Sequence, residues 1–340
     1  MAAPRLVSVI VATRDRPQML REALASIRAV EGPDLKFEIL VGDNGGLPES
    51  REVAESFGAI YTYTSKNGCP APRNRAMSRA TGEFIAFLDD DDIWLPAHIR
   101  THIEVLDANP AFAGAFGQII STDPDLTPLN EPWPHITPDD GDFFMILMNG
   151  YFPQVGGSLF RASVLESHGF MDESLIGDSD WDWQIRIAAD RKFGFVAKPC
   201  VLFRQRPKGS FNDMQLMRSA FTRRIFLRHA LPNRKRWKTS KELIRSYYAC
   251  QMYYWEYFRD VAAQRAGRHE RWGVVKAVSS AFWIFPSRTL RCLIGKTELR
   301  QSARTIFSYT IASVPSEAMP DRHAISRSGI PLCRRIFAGP

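Results

Sequence analysis

Four carboxylates stand in a row, Asp89-Asp90-Asp91-Asp92, directly behind the apolar run Phe84-Ile85-Ala86-Phe87-Leu88. Adjacent carboxylates repel one another, so such a run is tolerable in open solvent or beside a cation. Hard cations such as Mg²⁺ and Mn²⁺ take oxygen ligands, commonly one or two carboxylates together with substrate phosphates. A short apolar run of this kind reads as a strand buried on both faces. Its C-terminal end is where open α/β sheets bind ligands, which tips the balance from a solvated turn toward a metal-assisted phosphate or nucleotide site. A second acidic knot, Gly177-Asp178-Ser179-Asp180-Trp181-Asp182-Trp183, opens a helical stretch. Its plain reading is structural: Asp178 or Ser179 as cap, with acids in the first turn suiting the helix dipole.

The elements that must carry these groups alternate. Leu6–Ala12, Phe37–Val41, Ala59–Tyr63 and Phe84–Leu88 read as strands. Between them, helical spacing of Leu20, Leu24, Ile27 and Val30, the stretch 49–57, and Pro70–Ala80 predict three helices. Short links between strand and helix mean a parallel α/β sheet. Three strand ends carry polar residues that could converge at one edge: Thr13 to Asp15, Asp43-Asn44, and Asp89 to Asp92. Pro96 is placed as the first residue of a helix running to about Asp107. Ala111–Ser121 is apolar, 123–138 is a proline- and acid-rich loop, Phe143–Met148 is a short helix or strand, and Phe193–Phe203 is strand-like. Neither GxGxxG after the first strand nor GxxxxGK[ST] anywhere occurs, so the common nucleotide-binding phosphate loops are missing.

Length suits about two domains by the rule of roughly 100–200 residues each, and a composition 45% hydrophobic and 24% charged is ordinarily globular. The five cysteines are scattered, with no CxxC pair and no histidine spacing typical of zinc, which suits a reducing compartment. With no secretory leader or transmembrane run visible, the expectation is a cytoplasmic protein, with room for peripheral attachment to the inner face of the plasma membrane. The net charge of +7 is uneven. Residues 204–245 hold thirteen Lys and Arg against Asp213 and Glu242, a local +11 that leaves −4 for the rest. Such a basic block suggests a polyanionic surface as partner. No nucleic-acid-binding motif accompanies it, and no nucleic-acid partner is expected.

The order of these pieces resembles family 2 glycosyltransferases, the inverting enzymes of the GT-A fold, over about Leu6 to Gly209. Val7–Thr13 looks like the family's opening strand, and Glu38–Gly45 like its second. Asn67-Gly68, Arg73-Asn74 and Thr81 to Asp92 follow its stretch into the DXD motif. Phe170–Leu175 followed by Asp180-Trp181-Asp182 resembles the segment that supplies the catalytic base. The resemblance implies a Rossmann-like mixed sheet flanked by helices (residues 1–209), a basic helical extension (210–300) and a C-terminal tail (301–340). It implies transfer of a sugar from a UDP-, GDP- or dTDP-sugar to the hydroxyl of a saccharide or lipid-linked saccharide, with Mg²⁺ or Mn²⁺ as cofactor. Asp91 is the expected metal ligand, with Asp89 beside it. Asp89 and Asp90 would hold the metal or ribose, Asp43 would accept from the base with Thr13 and Arg14 adjacent, and Arg73 would contact the diphosphate. Asp180 is the expected general base, and Trp181 could stack on the acceptor sugar.

This chain departs from the family at Arg14, at Gly42 and Asn44, at Ser179 where relatives carry an acid, and at Arg206 where they often carry a histidine. Arginine cannot ligate a cation but can neutralise phosphate. Two other readings compete. A haloacid-dehalogenase-like phosphatase needs its acids on the first strand with a hydroxyl residue following, and neither holds here. A glycosyltransferase-fold adaptor or sugar-nucleotide-binding protein without turnover would not need both Asp91 and Asp180.

Overall fold

The computed structural model describes residues 3–136, 141–205 and 212–294. In chain order they form β1 (Arg5–Thr13), α1 (Pro17–Val30), β2 (Leu35–Asp43), α2 (Pro48–Ser56), β3 (Ile60–Tyr63), α3 (Pro70–Met77), β4 (Phe84–Asp89), β5 (Ile93–Trp94), α4 (His98–Ala108), β6 (Phe112–Thr122) and α5 (Phe144–Met148). Then follow β7 (Ser158–Arg161), α6 (Ser163–His168), α7 (Ser179–Ala188), β8 (Lys192–Arg204), α8 (Asn212–Ala230), α9 (Ser240–Gly267), α10 (Arg271–Ile284) and α11 (Pro286–Ile294).

The sheet is mixed, in the order β3-β2-β1-β4-β7-β6-β8-β5. β3, β2, β1 and β4 are parallel, as their helical crossovers require. β7 inserts antiparallel between β4 and β6, β6 and β8 run parallel, and β5 closes the far edge antiparallel to β8. Alternate residues of each strand serve opposite faces. Val7, Val9, Val11, Phe84, Ala86 and Leu88 join a core with Leu24 and Ile27 of α1 and Ile99 of α4. Ile10, Ile85 and Phe87 join a second core with Met77 of α3, Leu147 of α5 and Trp183 of α7.

Pro96 does not begin α4. Ile93-Trp94 is drawn into pairing with β8, Leu95 N–H donates to the Cys200 carbonyl at 2.9 Å, and Pro96-Ala97 becomes the turn before His98. Asp178 occupies the position before α7 with φ 57° and makes no capping hydrogen bond, contrary to the capping reading.

The described chain forms two compact units. The first holds residues 1–124 and 128–253, the second 125–127 and Tyr254 onward. The sequence boundary at 209 lies outside the described residues. Beyond it, Ile225, Phe226 and Ala230 of α8, then Trp237 and Cys250, join the second-face core, so α8 and the start of α9 are part of the first unit. The tail expected at 301–340 also lies outside the described residues. In the second unit, Val261, Ala262 and Ala266 of α9 pack with Val274 and Ala277 of α10, and Trp255 Nε1 donates to Thr289 Oγ1 of α11 at 2.8 Å.

Candidate active site

Three strands end side by side. Register aligns Thr13 with Asp43 across β1 and β2, and Ala12 with Asp89 across β1 and β4. Thr13-Arg14, Asp43-Asn44 and the four acids therefore leave the sheet at one edge.

The four acids divide their roles. Asp90 is buried; it accepts from Thr13 Oγ1 at 2.7 Å and from Arg16 Nε at 3.2 Å, with Arg16 Nη2 also bonded. Burial pushes its carboxyl up to about 7, with Arg16 and Thr13 pulling the other way. Asp91 Oδ2 accepts from Arg16 Nη1 at 2.6 Å. Asp89 is half-buried and paired with Arg73. Asp92 is 1% exposed; its Oδ1 accepts the Arg204 N–H at 2.9 Å, and its Oδ2 has no hydrogen-bond partner among the described residues. Carboxylate oxygens of Asp89, Asp91 and Asp92 lie within 4.8 Å of one another. Burial drives Asp92 well above the usual carboxylate range, and Asp89 and Asp91 add to the effect. Three carboxylates around a buried oxygen without a donor make a donor set suited to a hard divalent cation, whose charge would offset their repulsion. Asp89 and Asp91 were expected there. Asp92 was not, and Asp90 and the Thr13 hydroxyl are engaged in holding the loop rather than facing a ligand.

Arg14 is exposed, with its Nε 3.7 Å from Asp15. Asp43 is fully buried; Oδ1 accepts from Gly45 N–H at 2.7 Å, and Oδ2 from Gly46 N–H at 3.2 Å and Tyr61 Oη at 2.7 Å. A carboxylate accepts about four bonds, so one further donor can be met. Arg73 reaches the edge because α3 lies directly on β2. A Cβ on Gly42 would sit 2.0 Å from the Pro72 carbonyl oxygen, which accounts for glycine at that departure. Asn74 then ties α3 to the stretch before the second knot, donating to Met171 O at 2.8 Å and accepting from Met171 N–H at 3.0 Å.

The second knot also divides. Asp178 accepts from Arg218 Nη2 at 2.5 Å and Thr222 Oγ1 at 2.7 Å. Asp182, fully buried, accepts from Arg228 at 3.0 Å, His229 at 2.9 Å and Arg186 at 3.1 Å; burial opposes its ionisation, and these partners hold it below the usual value. Asp180 is left with one hydrogen bond among the described residues, from Trp181 N–H at 3.0 Å. Burial raises Asp180 above the usual range, opposed by Arg73, with Asp178 and Asp89 adding to the rise. Asp180, Arg73 and Asp89 thus act on one another across one small region.

Trp181 is a core residue, not an acceptor platform: it is 2% exposed, lies against Phe152 with centroids 4.4 Å apart, and donates to the Tyr151 carbonyl at 3.0 Å. Arg206 lies outside the described residues. Sequence reasoning missed Arg16, which bridges Asp90 and Asp91. Its signal was a cation just past a strand end that faces an acidic run.

The mixed sheet flanked by helices, with acids at the end of its fourth strand, has the GT-A fold. Residues 8–169 match the family described as Glycosyl transferase family 2, and the chain carries that family's domain. An uncharacterized glycosyltransferase of Methanocaldococcus jannaschii is 28% identical over 210 residues, spanning 58% of this chain and 70% of that protein. The GalNAc(5)-diNAcBac-PP-undecaprenol beta-1,3-glucosyltransferase of Campylobacter jejuni is 29% identical over 181 residues, 50% of this chain and 56% of its own length. The crystal structure of Staphylococcus aureus TarS 1–349 superposes with a TM-score of 0.57 at 16% identity, covering 89% of this chain and 91% of that one.

Proposed function

We propose that the chain is a metal-dependent, inverting glycosyltransferase that moves a sugar from a nucleotide-diphosphate sugar to a hydroxyl of a saccharide or lipid-linked saccharide, in cell-surface polysaccharide or glycolipid synthesis. The observation that carries this reading is the isolation of Asp180. Its neighbours Asp178 and Asp182 are neutralised by basic partners, while Asp180 stays opposite Arg73 and Asp89. In the reaction Arg73 contacts the diphosphate, and Asp43 accepts from the nucleotide base. Asp89, Asp91 and Asp92 would hold Mg²⁺ or Mn²⁺, which supplies charge to stabilise the departing diphosphate. Asp180 takes the acceptor's proton as its oxygen attacks the anomeric carbon. The bond to the diphosphate breaks in the same displacement, so configuration inverts without a covalent enzyme intermediate. TarS has been crystallised with UDP-GlcNAc, which makes UDP-sugars the first donors to try.

The acceptor side extends the proposal to a peripheral contact with anionic membrane at the cytoplasmic face. Trp272 and Trp283 of α10 are 86% and 76% exposed, which supports it. Among the described residues, no helix is long and apolar enough to cross a membrane.

The test is thermal stability with UDP, GDP, dTDP or CMP, with and without Mn²⁺, in wild type and Asp91→Ala. A ligand bound only by the folded state raises apparent stability by mass action. Stabilisation by one nucleotide diphosphate, lost without metal or without Asp91, is expected. Equal stabilisation in both proteins without metal would overturn the metal-dependent reading.

A further inference from the structure

A second cluster of ligating groups lies inside the first unit, away from the acidic edge. α4 carries His98 and His102 one turn apart, so both rings leave one face of the helix. β8 brings Cys200 to them. All three residues are 0% exposed, and one ligand atom from each lies within 4.8 Å of the others.

Cys200 Sγ donates to the Lys198 carbonyl at 3.1 Å, but the imidazoles are not fully matched by the protein. Among the described residues neither Nδ1 nor Nε2 of His98 has a hydrogen-bond partner. The His102 Nδ1 lies 2.7 Å from the His98 carbonyl oxygen and its Nε2 lies 3.1 Å from that of Gly157. A neutral imidazole has one N–H and can donate to only one of two carbonyls. Burial drives His102 down to about 4, so neutral is its state near pH 7, and burial pushes the Cys200 thiol up to about 12. Gly117 borders the cluster. A Cβ there would lie 2.6 Å from Cys200 Sγ and 2.9 Å from His102 Cε1, so glycine keeps the space between them open.

We propose that His98, His102 and Cys200 form a structural Zn²⁺ site, distinct from the hard-cation site at the acidic edge. Two imidazoles and a thiolate are a donor set for a borderline cation, whereas Mg²⁺ and Mn²⁺ prefer oxygen. On binding, the Cys200 S–H bond breaks, its proton passes to water, and the sulfur bonds the metal. His102 donates Nδ1–H to the His98 carbonyl and offers Nε2 as ligand, the second-shell arrangement that fixes a metal-bound imidazole. His98 gains the partner it otherwise lacks. The site would join α4 to β8, two elements far apart in the chain.

The full chain, unfolded with a chelator and refolded with Co²⁺, provides the test. The expected result is a thiolate-to-cobalt charge-transfer band, displaced by one equivalent of Zn²⁺, present in Asp91→Asn and absent from folded Cys200→Ser. Zinc should remain at one per chain after dialysis and raise the Tm of wild type. His98→Phe keeps a ring of similar size and removes both unpaired nitrogens; it should abolish the Tm rise. Wild type with no thiolate band and no Tm response to Zn²⁺ would overturn the proposal, as would a band that survives in Cys200→Ser. If Cys200→Ser does not fold, the wild-type zinc content and Tm response decide alone.

Discussion

Asp178 and Asp180 are two residues apart and meet different chemistry. Asp180→Asn keeps the shape and removes the proposed base, so kcat should fall by about 10²–10⁴-fold, while stabilisation by nucleotide diphosphate persists; steady-state kinetics beside thermal shift separates the two. Asp178 holds Arg218 and Thr222 instead of capping its helix, so Asp178→Ala removes three hydrogen bonds to a buried carboxylate and should cost about 1–3 kcal/mol. A double-mutant cycle with Arg218→Ala in chemical denaturation should show positive coupling; additive effects would show that the Asp178–Arg218 pair contributes nothing to stability. The residue types at both acidic stretches were legible in the sequence because carboxylates are what the proposed metal site and the proposed proton acceptor would require. Their partners were not. Arg218, Arg228 and His229 lie some forty residues downstream, and nothing local selects Asp178 and Asp182 for neutralisation over Asp180. The reading that no histidine spacing suits zinc is corrected at His98 and His102, four residues apart on α4; what the sequence hid is Cys200, about a hundred residues on, which reaches them only through the pairing of β8 with β6 and β5.

At the scale of elements, α3 delivers Arg73 only because Gly42 admits the Pro72 backbone. Gly42→Ala would force the helix off β2, with an expected loss of about 1–3 kcal/mol and a weaker response to nucleotide diphosphate, both visible in one thermal titration. The link from α8 to the loop before α7 is electrostatic. Burial would raise Asp172, but hydrogen bonds from Ser174 and the pair with Arg228 outweigh it and bring the carboxyl down to about 2. A depressed carboxylate contributes stability that is complete above its unfolded value of 3.8 and lost as pH falls toward 2. Solvent screening limits this to about 1 kcal/mol. Thermal unfolding between pH 4 and 2 should therefore fall less steeply for Asp172→Asn than for wild type. β1, β2 and β4 were readable because they are apolar on both faces. β6 was legible only as an apolar stretch, 111–121, and not as a strand, because Gly114 and Gly117 dilute its pattern, yet a Cβ on Gly114 would meet the Leu159 carbonyl oxygen at 2.7 Å. β7 has only four residues and owes its place to long-range pairing.

Across the whole molecule, the basic block is less of a free surface than its charge suggests. Arg204 pairs with Glu22, Arg218 with Asp178, Arg228 with Asp172 and Asp182, and Arg236 with Asp142. Four of the thirteen cations are therefore engaged in ion pairs of the first unit, and the proposed membrane contact draws on the exposed indoles of α10 as well as on the remaining charge. The protein should partition onto anionic vesicles at low salt, and Trp272→Ser with Trp283→Ser should reduce that partition without changing Tm. Indifference of wild type to anionic lipid would sink the membrane contact.

The place of β7 in the sheet has a consequence for biosynthesis. The first four strands, β3-β2-β1-β4, are complete once residue 89 has been made, but the neighbour that covers the far side of β4 begins only at residue 158. Throughout that interval a nascent chain exposes an apolar parallel strand with unpaired amides, the kind of edge that recruits other chains. Even then β7 covers only Phe84 to Ala86. Translation that stalls between those two points should yield an aggregating fragment, and chaperone demand during synthesis should be concentrated there.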